Sequence, residues 1–396
     1  MTHALPPAPD QVRVVLNDRV RTFAHSRDDD LQNFHRKLPG YAPTPLVSAP
    51  AVAATLGVHS VWVKDESNRL GLPAYKILGA SWATYRALRE RFGLSDPWTT
   101  LDELAFQLRP HLPLTLVAAT DGNHGRAVAR MARWLGLGAH ILVPADMVSA
   151  RREAIASEGA RVTVVDGTYD EAVEAAARLA DDHHIVISDT AWAGYEQIPA
   201  WVIDGYATIF EEIDGQLAML GEAPPDLVAV QMGVGALAAA VVRHYRAEGR
   251  TTRVMGVEPL RAACVLHSVE AGHLVDVPGP HDSIMAGLNC GRPSPVAWPF
   301  VSGGISAFVA VPDTRAEEAM RLLAQDGVVS GESGAAGLAG LLAVLTGPDA
   351  RTYRDALGVS GDSRVLVIST EGATDPQGYA RIISSQHPGS SRYCSF

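Results

Sequence analysis

The feature that most constrains this chain is its alternation of short apolar runs with segments of helical periodicity. Thr115–Ala119 (TLVAA) passes directly into the polar loop TDGNHG. A stretch with Val128, Met131, Ala132 and Leu135 at i, i+3, i+4 and i+7 follows, with Arg126, Arg130 and Arg133 off that stripe. The pattern continues with a strand at 141–143, a helix opened by Ser149, a strand at 162–165, an alanine-rich helix near 171–180 and a strand at 185–187. A second series begins with Leu227–Gln231, breaks at Gly233 and Gly235, and runs on as a helix over 236–248. Further buried-looking strands fall at 254–257 and 365–368. Apolar strands joined by helices require mainly parallel sheets covered on both faces. Two such series, in 396 residues, predict an α/β fold of two doubly wound domains. The stretch 290–299 reads as a long loop, and the first dozen residues and the tail 386–396 as loosely attached.

Composition removes several classes of function. With 33 basic and 44 acidic residues the net charge is −11, and no basic block occurs, so nucleic acid and anionic membrane are not expected partners. No apolar run approaches the roughly 18 residues of a membrane span, and MTHALPPAPDQ lacks a signal-peptide pattern. The expectation is a cytoplasmic protein. Cys264, Cys290 and Cys394 are too few for a disulfide scaffold and match no zinc spacing. The fourteen histidines form no HExxH, so no metal is expected, and neither a GxSxG elbow nor a GxxxxGK[ST] loop is present.

In open α/β sheets ligands sit at the carboxyl ends of strands. That singles out TDGNHG, the GVGAL loop after Gln231, and STEGATD after Ile368. GVGAL offers backbone amides at a helix start, and its two glycines let a phosphate approach. The same residues with Ala238 spell GxGxxA, and Glu258 stands where a ribose-binding acid belongs, so a nicotinamide dehydrogenase is a competing reading. A plain strand-to-helix turn is another.

Only three of the cations are lysines. Lys37 and Lys64 lie in charged segments, and Lys64 looks like an ion-paired strand end beside Asp65 and Glu66. Lys76 lies among Leu72, Ala74, Tyr75, Ile77 and Leu78, where its pKa is expected to fall and its amine to become nucleophilic toward an aldehyde cofactor. The alternative is a surface lysine on an amphipathic helix. Asp121 could act as a general base and Asn123 could donate to a phenolate, and Asp189 ends another strand. For all three, helix or turn capping is the structural alternative.

Taken together, FHRKLPGYAPTPL, VKDESNRLGLPAYKILGAS, TDGNHGRAVA, SDTAWAGYEQIP, QMGVGALAAAV, GVEP, IMAGLNCG, SGESGAAGL and STEGATD resemble the fold type II pyridoxal-phosphate enzymes, the tryptophan synthase β family. The resemblance is strongest to its diaminopropionate ammonia-lyase branch. It implies a cofactor, pyridoxal 5'-phosphate, in a Schiff base with Lys76. It implies phosphate binding by Gly233, Val234, Gly235, Ala236 and Leu237, Asn123 at the ring hydroxyl, and Ser369, or Thr370 in its place, at the pyridine nitrogen. Asp121 and Asp189 would remove the α-proton from opposite faces of a small amino-acid substrate. The implied reaction is α,β-elimination of 2,3-diaminopropionate, as the D- or L-enantiomer or both, to pyruvate and ammonia. A serine/threonine-type dehydratase or a β-substituting synthase on the same fold is the nearest alternative. The resemblance further implies a homodimer, with 1–81 and 192–396 forming a large cofactor-binding domain and 82–191 a small mobile one. Cys264 and Cys290 would approach each other near the site mouth and could pair. Pro73, Trp82, Ala239 and Ala240 depart from the family pattern.

Overall fold

A computed structural model describes residues 11–24 and 29–385. The expectations for the tail and for Cys394 fall outside these residues. Eleven strands follow one another along the chain: β1 (Arg13–Leu16), β2 (Leu46–Ser48), β3 (Ser60–Asp65), β4 (Thr115–Ala119), β5 (Gly138–Pro144), β6 (Arg161–Val165), β7 (His184–Val186), β8 (Leu227–Gln231), β9 (Arg253–Pro259), β10 (Ala307–Val311) and β11 (Arg364–Ser369). They form two sheets, one ordered β1-β10-β9-β8-β11-β3-β2 and the other β6-β5-β4-β7. All pairings are parallel except the outer pairs β1–β10 and β2–β3.

The physical cause is visible in the strands themselves. Every residue of β8 is buried, and in β11 only Arg364 is not. Such strands cannot face water on either side, so helices cover both faces of the large sheet. The four strands of the small sheet all lie between residues 115 and 186. Helix Lys76–Phe92 leads from the large sheet toward the small one and runs unbroken through residue 82.

The parallel arrangement gathers the functional loops. The segments after β3, β4, β7, β8 and β11 all leave from carboxyl ends of strands, and their side chains converge on one cavity. Among the described residues, no helix is long and apolar enough to cross a membrane.

Candidate active site

Lys76 is positioned by the loop 66–75. Glu66 N–H donates to the Ser369 carbonyl at 2.9 Å, tying the loop's start to the end of β11. Arg69 and Leu72 then exchange backbone hydrogen bonds across a tight turn, which holds Leu70 at φ +55°. That is an uncommon conformation for an aliphatic side chain, and it persists only where the surroundings impose it. Here they do. The Arg69 guanidinium is fully buried and donates to Glu66 (Oε1, 2.6 Å) and to Glu212 (Oε1, 2.7 Å).

Lys64 joins this cluster, with Nζ 2.8 Å from Glu212 Oε2. The expected ion-paired strand end is thus observed, with Glu212 as the partner instead of the adjacent Asp65 or Glu66. Lys64 is wholly buried and its ion-pair partner comes from helix Ala207–Leu220. Lys37 lies elsewhere, donating to the Trp98 carbonyl and stacking over its ring.

Lys76 is the first residue of its helix, and its Nζ lies 2.6 Å from Asp189 Oδ2. Burial disfavours the ammonium, but the Asp189 carboxylate, aided by the nearby Tyr206 and Tyr75 phenols, outweighs it, raising the Lys76 pKa well above its usual value. The expected fall in pKa is thus reversed, because apolar neighbours in sequence did not reveal a carboxylate 113 residues away. Asp189 shows the reciprocal effect. Burial pushes its carboxyl up, but Lys76 and His124 hold it below the ordinary carboxylate range. Tyr169 donates to Asp189 Oδ1 at 3.1 Å. His124 meets the Ile187 carbonyl through Nε2 at 2.8 Å, which leaves Nδ1 3.9 Å from Asp189 Oδ2 without a hydrogen bond.

The capping alternative fails for the other site residues too. Helix Asn123–Leu135 has no side-chain cap, and Asn123 Nδ2 donates instead to Glu371 Oε2. Among the described residues no backbone amide donates to the Asp121 carboxylate, and Asp121 lines the cavity. Burial and the nearby Asp189 raise its carboxyl and Lys76 lowers it, and the net result is a pKa pushed up to about 6. Of the two hydroxyls expected at the pyridine nitrogen, Thr370 lines the cavity and accepts from Gln231 Nε2 at 2.7 Å. Ser369 is turned away, donating to Ser330 Oγ at 2.8 Å. Alternate residues of a strand point to opposite faces, so only one of two neighbours can face the site.

The glycine loop supplies the anion site. Gly235 adopts φ +94° at the start of helix Ala236–Tyr245, a conformation glycine takes without strain. Among the described residues, the amides of 233–237 meet no backbone acceptor, so they are free to donate to a phosphate. A Cβ at Gly233 would sit 3.1 Å from Cys290 Sγ and 3.3 Å from the Gly287 carbonyl, filling the cradle. The site therefore fits a phosphate-bearing aldehyde: an amine on Lys76, an amide donor on Asn123, a hydroxyl on Thr370 and a ring of free amides share one cavity.

The dinucleotide reading is overturned at Glu258. Its carboxylate accepts the amides of Val265 and Leu266, both at 2.8 Å, and burial pushes it up to about 8. An acid so engaged caps helix Cys264–Ala271 and has no ribose to bind. Cys264 and Cys290 are both buried free thiols, and both lie next to Gly233.

Sequence reasoning missed Tyr169, Gln231 and Ser333, which also line the cavity. Glu371 and His124 lay inside motifs already singled out and were detectable as polar residues at strand ends. Tyr169, at the start of a helix two strands away, carried no local signal.

This combination of fold and site defines a pyridoxal-phosphate dependent enzyme, and the family model of that description matches residues 37–371; the chain belongs to that family. Its cofactor is pyridoxal 5'-phosphate. Within the family, the chain is 37% identical over 371 residues to the diaminopropionate ammonia-lyase of Escherichia coli (strain K12), covering 91% of this chain and 92% of that relative. Two solved structures of Escherichia coli diaminopropionate ammonia-lyase superpose closely. The complex with an aminoacrylate-PLP azomethine reaction intermediate gives a TM-score of 0.85, and the complex with D-serine gives 0.86. Each is 34% identical and covers 95% of this chain and 97% of its own.

Proposed function

We propose that this chain catalyses the pyridoxal-phosphate-dependent α,β-elimination of 2,3-diaminopropionate, giving pyruvate and two molecules of ammonia for each water consumed. The observation that carries the reading is the Lys76–Asp189 pair, held in one cavity with Asp121 and the glycine loop. Likeness to ammonia-lyases over nine-tenths of both chains supports the substrate class.

Bound at this site, the cofactor supplies an electrophilic aldehyde and a ring that delocalises the charge left by α-proton removal. Lys76 would hold it covalently through Nζ. The amides of Gly233 to Leu237 would hold its phosphate, Asn123 its ring hydroxyl and Thr370 its pyridine nitrogen. A neutral hydroxyl at that nitrogen withdraws less charge than a carboxylic acid would, which favours elimination over transamination. Asp189 stays ionised beside Lys76 and can exchange a proton with it directly, and Tyr169 fixes its orientation. Asp121 stands apart from that pair, with a pKa near the working pH of a base. Two acids so arranged serve the two faces of the α-carbon, and so both enantiomers of the substrate.

The division into a large unit (1–81, 192–396) and a small mobile one (82–191) belongs to the same proposal, as do cytoplasmic location and homodimeric assembly. Dehydratase and synthase chemistry are favoured by no specific contact. The test is pyruvate release by the purified protein supplied with cofactor, across D- and L-diaminopropionate, serine, threonine and β-chloroalanine. Fastest turnover of serine or threonine would replace this reading with a dehydratase.

A further inference from the structure

Asp121 and Tyr169 line not only the inner cavity but also an outer one of about 930 Å³. Its wall carries six carboxylates, Asp121, Asp146, Asp282, Glu317, Glu332 and Asp375, against the guanidiniums of Arg151 and Arg381. Five of the six acids keep at least part of their surface in contact with water. Glu332 is the buried one. It is only 5% exposed, yet among the described residues no other residue donates a hydrogen bond to its carboxylate or pairs with it as an ion. Its own amide is the one donor it meets. Burying a carboxylate without a partner is costly, and burial pushes this carboxyl up, with the like charges of Glu371 and Asp375 adding to the effect and Arg151 opposing it. A buried acid without a partner beside an active site is a candidate receptor for a cation.

The surroundings indicate which cation. Ser333, the next residue, lines the inner cavity with Glu371 and Thr370. Asp121 lines both cavities, Glu332 the outer one and Glu371 the inner one, so the acids lie along the way from one cavity to the other. The backbone at Gly378 closes the far side, where a Cβ would come within 3.2 Å of Glu332 Oε1. We propose that Glu332 is the specificity-determining receptor for the β-ammonium group of the substrate. This rests on the diaminopropionate reading above and deepens it. The carboxylate holds the β-nitrogen protonated. When the α-proton is removed and the Cα–Cβ double bond forms, the Cβ–N electron pair passes to nitrogen, and the group departs as neutral ammonia. A substrate whose β-substituent carries no charge gains nothing from Glu332.

The test compares diaminopropionate with β-chloroalanine, which shares the α-amino acid but loses chloride. In Glu332→Gln, kcat/KM for diaminopropionate should fall by about ten-fold or more, mainly through KM, as for loss of a charge-assisted hydrogen bond. With β-chloroalanine the change should stay within about two-fold, because no charge-assisted bond is lost. Glu332→Asp, which keeps the charge, should recover part of the loss, and cofactor absorbance and thermal melting should match the parent. Equal losses on both substrates, or none on either, would overturn the proposal. If Glu332→Gln does not fold, the substrate ratio in Glu332→Asp decides: a ratio equal to the parent's overturns it. A parent enzyme that releases pyruvate from β-chloroalanine but not from diaminopropionate would instead overturn the functional reading on which this inference stands.

Discussion

Lys76 Nζ and Asp189 Oδ2 lie 2.6 Å apart, with both side chains largely withdrawn from water. The pair explains how a lysine among apolar neighbours stays charged: the carboxylate supplies what the burial removes. It also gives the amine a proton acceptor within reach. In such a pair, each group's titration depends on the other's presence.

Separating the two acids is the first consequence. Asp189→Asn and Asp121→Asn should each cut turnover of one enantiomer of diaminopropionate by about 100-fold or more, the loss typical of removing a general base. The two variants should affect opposite enantiomers. Assays on resolved D- and L-substrate check this, and loss of the same enantiomer in both variants would contradict the two-face arrangement.

The pH profile follows from Asp121. Its pKa lies at about 6, above the ordinary carboxylate value, and a base acts in its deprotonated form. Activity on the enantiomer it serves should be full above that value and fall as pH drops through about 6. The other enantiomer, served by the strongly acidic Asp189, should keep its activity to lower pH. Identical acid limbs for the two enantiomers would count against the assignment.

The buried cluster beneath the lysine loop makes a prediction about stability. Glu212 pairs with both Lys64 and Arg69, each fully buried. Glu212→Gln leaves two buried cations short of a counter-charge and should cost about 3–5 kcal/mol. Urea unfolding of the apoprotein measures this. Because the same cluster fixes the loop that presents Lys76, cofactor affinity should weaken too.

Gly235 makes the corresponding prediction for the phosphate loop. At φ +94°, Gly235→Ala should cost about 1–2 kcal/mol in backbone strain. It should weaken cofactor binding more than it lowers the melting temperature of the apoprotein, as absorbance titration and calorimetry would show.

Much of this was legible in the residues. The strands Thr115–Ala119 and Leu227–Gln231 fall where their apolar runs begin and end, because a buried parallel strand must be apolar throughout. The edge strands β1 and β2 escaped notice, as did β10 just inside β1. The first two are short and half-exposed, and β10 (AFVAV) follows a long loop and the short helix Trp298–Gly304. The loops carrying Asp121, Asn123 and Gly233 were found because strand ends in such sheets are where ligands bind, and Lys76 because it alone of the three lysines lies among apolar residues. What the local pattern could not show was pairing across the chain. Lys64 looked like an ion-paired strand end, but its partner Glu212 could not be read from its neighbours, and Lys76 looked depressed until Asp189 was seen beside it. Ser369 and Thr370 could not be ordered without the pleat of β11, and Glu258 passed for a ribose ligand until its helix cap was visible.

The most direct test is chemical. The chain has only three lysines, Lys37, Lys64 and Lys76. Borohydride reduction of the yellow holoenzyme, followed by peptide mapping, should place the whole of the pyridoxyl label on Lys76. Label on Lys37 or Lys64, or a protein that stays colourless and unlabelled after incubation with pyridoxal phosphate, would contradict the account.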